Sequence, residues 1–283
     1  MPLYLGCPMW GLKLWVGNFF PANAKRRDFL SLYSRRLNTV EGNTTFYSIP
    51  SPETVERWRD ETPPGFRFCL KFPKAISHEK RLHNAEAETA QFLDCLTRLG
   101  DRCGPAFLQL APTFGGPNLQ SLISYLDVLP PRFHYAVEVR HPDFFGGEAE
   151  AALDEALRAR DVARVVFDTR GLRSVEAEDE ATRQAQERKP DVPVRFTRTA
   201  SFAFVRFVGQ PEVAANRDLL AEWADHVADW LRAGDDVFFF AHIPEDRDAP
   251  LLAREFHALV NARHSLPPLP EWGEERGVQG RLF

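Results

Sequence analysis

His134-Tyr135-Ala136-Val137-Glu138-Val139-Arg140-His141-Pro142 alternates with the two-residue period of a β-strand. Tyr135, Val137 and Val139 leave by one face; Ala136, Glu138 and Arg140 leave by the other. The first face is plain core. The second is small at its start and charged at its end, just before Pro142 stops the strand. His141 shares the parity of the apolar set, so it is expected to lean toward a helix layer or the rim.

Seven other stretches read as strands: Leu3–Cys7, Thr39–Asn43, Phe66–Phe72, Pro105–Ala111, Ala163–Asp168, Phe202–Gly209 and Val237–Ile243. Between them lie apolar stripes of helical spacing, such as Phe92, Leu93, Leu96 and Leu99, or Leu219, Leu220, Trp223, Val227 and Trp230. Strand and helix alternate about eight times, which requires crossover connections and a parallel sheet. The expected fold is α/β, a single (β/α)8 TIM barrel over residues 1–283 with its core at about 3–263; such barrels run to about 250 residues. A doubly wound open sheet is the runner-up, but no G-x-G-x-x-G or P-loop follows any strand. Residues 169–199, after the sixth strand, form a long polar loop. It is a lid candidate, with a short helix expected around 179–188. The Pro- and Gly-rich tail 264–283 is expected to be peripheral.

With 283 residues, a net charge of −5 and 44% hydrophobic residues, the composition is ordinary for a globular protein. The acidic balance argues against a general nucleic-acid surface or a polybasic membrane anchor. Cys7, Cys69, Cys95 and Cys103 contain no C-x-x-C spacing, so free thiols in a reducing compartment are expected. The N-terminus lacks the basic start and apolar core of a signal peptide. No apolar run approaches the roughly 20 residues of a membrane span. These features predict a soluble, cytoplasmic protein with a small-molecule partner and no membrane partner; they do not specify an oligomeric state.

In a barrel the apolar parity must face the helices, so the other parity faces inward. At the C-terminal strand ends, where this fold places active sites, the expected inward set is Glu41, Lys71, Gln109, Glu138, Arg140, Asp168, Arg206 and His242. Glu41, Glu138 and Lys71 are the catalytic candidates, the two carboxylates by acid–base chemistry. Arg140, Arg206, Gln109, Asp168, Asn43, Tyr47, Trp10 and His242 are the substrate-binding candidates. Guanidinium groups suit an anionic or multiply hydroxylated ligand. Lys71 would suit a Schiff base, although an ion pair with Glu41 on the adjacent strand is the preferred expectation. The aromatics from Trp10 to Phe20 read as a hydrophobic plug before a ligand wall. No nucleotide or flavin motif is present, and no ligand spacing supports a metal beyond a low expectation for a divalent ion.

Thr39-Val40-Glu41-Gly42-Asn43-Thr44-Thr45-Phe46-Tyr47, Phe68-Cys69-Leu70-Lys71-Phe72-Pro73, Gln109-Leu110-Ala111-Pro112 and Val137-Glu138-Val139-Arg140-His141 resemble the signature segments of the YecE-like family, domain of unknown function 72. Leu5-Gly6-Cys7-Pro8-Met9-Trp10 and His242-Ile243-Pro244-Glu245-Asp246 resemble its YecE branch. The resemblance implies a TIM barrel and leaves the activity open. Many members of the family carry paired asparagines where this chain has Ala241-His242, and His-Gly where it has Val208-Gly209. The expected function is an enzyme, a hydrolase or an isomerase/lyase, acting on a small polar or anionic, sugar-like substrate. The alternatives are a non-catalytic metabolite-binding protein and, by fold analogy alone, a nucleic-acid repair enzyme.

Overall fold

The computed structural model describes residues 2–270 and Trp272. Its strands are β1 (Leu3–Gly6), β2 (Thr39–Gly42), β3 (Arg67–Leu70), β4 (Ala106–Gln109), β5 (Tyr135–Glu138), β6 (Ala163–Asp168), β7 (Phe202–Val208) and β8 (Asp236–His242). The helices are α1 (Phe29–Ser34), α2 (Pro52–Asp60), α3 (Glu86–Leu99), α4 (Leu119–Asp127), α5 (Gly147–Arg158), α6 (Arg170–Arg173), α7 (Glu180–Arg188), α8 (Arg217–Ala233) and α9 (Ala249–Asn261). Local chemistry sets several helix ends. Ser51 caps α2 with Pro52 at its first position, Asp179 caps α7, and Gly234 closes α8 in the left-handed region.

Among the described residues all strand pairing is parallel. Six strands form one sheet in the order β1-β8-β7-β6-β5-β4, and β2-β3 form a second. Two seams of isolated bonds join the sheets. At β1–β2 the Glu41 amide donates to the Cys7 carbonyl at 3.1 Å. There the Asn38 side chain also bonds the Leu5 amide and the Leu3 carbonyl. At β3–β4 the Phe72 amide donates to Phe107 and the Gly104 amide to Phe68, each at 3.0 Å. The bonding thus runs from β1 through β8 and back to β1, which is consistent with a closed barrel.

The apolar residues separate into two layers. Val40, Phe68, Leu70, Leu108, Val137, Val139, Val205 and Phe239 pack with Leu96, Leu126, Leu157, Trp223 and Phe256 of the helices. Tyr4, Cys69, Phe107, Ala136, Val165, Phe204, Phe238 and Phe240 form a separate cluster within the ring. The inner cluster is the floor on which the charged strand ends stand.

Gly6 matters at the thinner seam. A Cβ there would collide with the backbone carbonyl of Thr39 and approach its side chain. Backbone cannot swing aside as a side chain does. Gly6→Ala is therefore expected to destabilise the fold by about 1–3 kcal/mol, the usual penalty of overpacking. Urea unfolding would measure it, and an unchanged midpoint would contradict the close approach.

The aromatics after β1 pack as core. Trp10 meets Trp58 and Phe68 edge-on, and Trp15 packs with Phe19, Phe20 and Tyr33. The described part of the tail is also packed. Leu266 and Leu269 lie against the core, and Trp272 is buried against Phe19 beneath Arg254. The rest of 264–283 falls outside the described residues. Among the described residues no helix is long and apolar enough to cross a membrane.

Candidate active site at the C-terminal mouth

Glu41, at the third position of β2, is the centre of a buried polar network. Arg206 reaches it from β7 with two parallel bonds, Nε to Oε2 and Nη2 to Oε1, both 2.7 Å. Asn43 Nδ2 donates to Oε1 at 2.7 Å, and His242 Nε2 stands 3.2 Å from Oε2. The third nitrogen of Arg206, Nη1, donates to Glu138 Oε2. The other oxygen of Glu138 accepts from Arg140 Nε at 2.7 Å. Arg140 Nη2 and Lys71 Nζ then share Gln109 Oε1, at 2.7 and 2.8 Å. Six strands contribute to this one chain of contacts.

Its electrostatics follow from burial and pairing. Glu41 and Glu138 are both 0% exposed. Burial pushes the Glu41 carboxyl upward, but Arg206 and His242 together outweigh it and hold the group well below the usual carboxylate range. Burial likewise raises Glu138, and Arg206, Arg140 and Lys71 bring it down to about 2. Both are ionised at neutral pH. Burial lowers His242 despite the Glu41 carboxylate, so its imidazole is neutral. An ionised Glu41 only accepts, so Nε2 of His242 carries the proton. Arg206 remains charged between the faces of Phe107 and Phe167, 5.3 and 5.0 Å from their centroids.

Lys71 behaves differently. Burial and the neighbouring Arg206 and Arg140 guanidinium groups depress its amine to about 7, only partly offset by Glu138 and Glu41. The ion pair expected with Glu41 does not form. Arg206 occupies both oxygens of that carboxylate, because a planar fork matches a carboxylate better than a point charge does.

Asp168 is not part of the mouth. On β6 the inward parity is Ala163, Val165 and Phe167. Arg164 and Asp168 face the helices: Arg164 pairs with Glu150 and Asp154, while Asp168 accepts from Trp223 Nε1 at 2.8 Å and from Arg170. Asp168→Ala would leave the buried indole N–H without its partner, at about 1–3 kcal/mol. It is expected to lower the unfolding midpoint while leaving ligand binding in the mouth intact. Impaired binding in a folded variant would return Asp168 to the site.

The remaining candidates sort as follows. Asn43 belongs to the network. Tyr47 is 82% exposed at the rim, edge-on to Phe46. Trp10 lies in the outer packing against α2, not in the mouth. His141 turns away as its parity requires and accepts from the Asp143 amide. Three further groups reach the mouth that the strand parities did not identify. His78 packs on Phe46, and burial with nearby Lys71 and Arg140 lowers it to about 4. Asp246 follows β8, and burial raises its carboxyl. Lys189 arrives from the 169–199 segment, and burial together with Arg206 lowers it to about 8 against the opposing pull of Asp246. That segment is folded and held at both ends. Thr169 bonds the Pro190 carbonyl, Arg195 bonds Glu150, and the Arg188 carbonyl lies 3.5 Å from Arg140 Nη1. The four cysteines are free thiols. Among the described residues no group of three or more His, Cys, Asp or Glu is placed to hold a metal ion.

A parallel β/α fold with a cation-rich polar network at its C-terminal strand ends defines the class. The chain belongs to the family described as "Protein of unknown function DUF72", whose model matches residues 4–274. It is 40% identical over 271 residues to UPF0759 protein YecE of Escherichia coli (strain K12), covering 94% of this chain and 95% of that protein. A DUF72 family protein from Thermotoga maritima MSB8 has a similar fold, with a TM-score of 0.69, 21% identity, and coverage of 92% of this chain and 100% of that one. Another, from Enterococcus faecalis V583, has a TM-score of 0.69 at 18% identity, covering 95% and 100%.

Proposed function

We propose that this protein is an enzyme acting on a small anionic substrate held at the C-terminal mouth, in a reducing, cytoplasmic setting. One observation carries this reading. The carboxylates of Glu41 and Glu138 are taken up by Arg206, Arg140 and His242, and among the described residues neither Lys71 nor Lys189 forms an ion pair. Two carboxylates balance two guanidinium groups, and Lys189 with the protonated fraction of Lys71 exceeds the one further acid of the mouth among the described residues, Asp246, whose carboxyl burial pushes toward its neutral form. A carboxylate or phosphate is the complementary ligand.

The same geometry redistributes the roles. General acid catalysis of glycoside cleavage needs a protonated carboxyl beside the leaving oxygen. Glu41 and Glu138 are held ionised, so their role in this proposal is to fix Arg206 and Arg140. Lys71 at about 7, and Lys189 at about 8, change protonation near neutrality, as proton transfer at physiological pH requires. That favours an enzyme over a receptor, which would need only fixed charge.

Calorimetric titration with inorganic phosphate at low ionic strength tests the anion site. Arg140→Ala and Lys189→Ala are each expected to weaken binding by about ten- to a hundredfold, since one charge-assisted contact is worth about 1.5–3 kcal/mol. Binding unchanged in both folded variants would sink the assignment.

A further inference from the structure

Lys71 leaves its backbone one residue beyond β3 and turns into the mouth. Its Nζ has one hydrogen-bond partner among the described residues, the Gln109 side-chain oxygen at 2.8 Å. That oxygen already accepts from Arg140 at 2.7 Å. The amine also lies 3.9 Å from the centroid of Phe46 and 6.0 Å from that of Phe107. An ammonium here would share a neutral acceptor with a guanidinium and lie near a second one. The Phe46 face favours the ammonium, as the rings around Arg206 favour its charge, but burial and the two guanidinium groups work against it and bring the amine to about 7, so a large fraction is neutral at neutral pH. In that fraction one N–H donates to Gln109 and the lone pair remains free. His78 packs on the same Phe46 ring, its Nδ1 2.8 Å from the Ser77 hydroxyl, and its depressed basicity keeps it unprotonated beside the amine.

We propose that Lys71 is a nucleophile that forms an imine with the carbonyl carbon of a small anionic aldehyde or ketone held by Arg140 and Lys189. The Nζ lone pair forms the C–N bond while the carbonyl π pair moves to oxygen. A proton then passes from nitrogen to that oxygen, giving a carbinolamine. A proton drawn from solvent at the mouth then adds to the hydroxyl, the nitrogen lone pair forms the C=N bond, and the C–O bond breaks to release water. The product is an iminium that hydrolysis returns to amine and carbonyl, with no change of oxidation state. A desolvated lysine beside other cations is the setting in which an amine becomes nucleophilic at neutral pH. The carbonyl inference rests on the anion-site reading above and adds to it the substrate's reactive group.

Borohydride trapping tests it. The full-length protein is incubated separately with pyruvate, glyoxylate and glyceraldehyde 3-phosphate, reduced, and mapped by peptide mass spectrometry. The expected result is a single secondary-amine adduct on Lys71 with at least one of the three. It should be absent in K71M and K71R, and formed about ten- to a hundredfold less readily in R140A at limiting carbonyl. Mapping the unmodified chain answers the question even if a variant does not fold. No adduct on Lys71 with any of the three, while phosphate still binds the mouth, overturns the nucleophile and leaves the anion site standing. Loss of both trapping and phosphate binding overturns both. Adducts scattered over exposed lysines at the same rate as Lys71 overturn the nucleophile as well.

Discussion

Arg206→Met is expected to destabilise the protein by about 3–5 kcal/mol at neutral pH, the cost of stranding buried charge when one partner of an ion network is removed. Arg206 supplies three hydrogen bonds to two carboxylates that are themselves fully buried. In the variant Asn43 and His242 still meet Glu41, and Arg140 still meets Glu138, but the central cation is gone. The pH dependence gives the sharper signature. In the parent chain both carboxyl pKa values lie below the unfolded value, so the network contributes stability above about pH 4.5 and loses it as pH falls toward the folded values. Without Arg206, burial dominates and the carboxyl values rise. The folded variant then binds more protons than its unfolded chain, and the stability difference narrows as pH drops from 7.5 to 5. Guanidinium unfolding at both pH values measures this. The triple variant E41Q/E138Q/R206M should recover much of the loss, since a neutral network leaves no stranded charge. A loss below about 1 kcal/mol, equal at both pH values, would show that the network is not the keystone described.

The parity of the strands made most of this network legible from sequence. Glu41, Lys71, Gln109, Glu138, Arg140, Arg206 and His242 each share a parity with small or aromatic residues further back in their strands. For all but Glu41, which follows Thr39, those residues belong to the inner cluster: Cys69, Phe107, Ala136, Phe204 and Phe240. Strand β6 misleads because charge alone does not mark the inward face. A charged side chain on a strand can also be satisfied by the helix layer, and Arg164 is, by Glu150 and Asp154 of α5. The signal was present. Inward placement of Asp168 would put Arg164, four residues earlier, among the apolar residues of the inner cluster, where nothing pairs it. Lys189 and Asp246 had no such signal. They lie in irregular segments whose approach to the mouth is set by tertiary contacts, such as the bonds from Arg173 to the Gln186 and Lys189 carbonyls. Nor could parity show that Glu41 would choose Arg206 across the ring over Lys71 on the adjacent strand, because that depends on reach and fork geometry.

Lys71 is expected to react as a free amine with an apparent pKa of about 7, against about 10.4 for an ordinary lysine. Competitive acetylation, with modification of the Lys71 peptide followed from pH 5 to pH 11, gives the midpoint without any knowledge of the substrate. Two variants separate the causes. Arg140 opposes protonation of Lys71 and Glu138 favours it. Arg140→Gln should therefore move the midpoint up and Glu138→Gln should move it down. Burial alone would not produce opposite signs. Stability carries the same information. The folded value lies below the unfolded one, so between about pH 7 and pH 10.4 the unfolded chain binds more protons at this site. Lys71 thus penalises folding fully below about pH 7, and the penalty is relieved as pH rises through that window. Lys71→Met should remove this rise, gaining stability relative to the parent chain at pH 7 and less at pH 10. The acetylation midpoint and the flattened stability profile must agree, because one proton equilibrium governs both. A midpoint near 10, or shifts of one sign in the two variants, would mean that the amine is not governed by the guanidinium groups beside it, and imine formation at neutral pH would lose its physical basis.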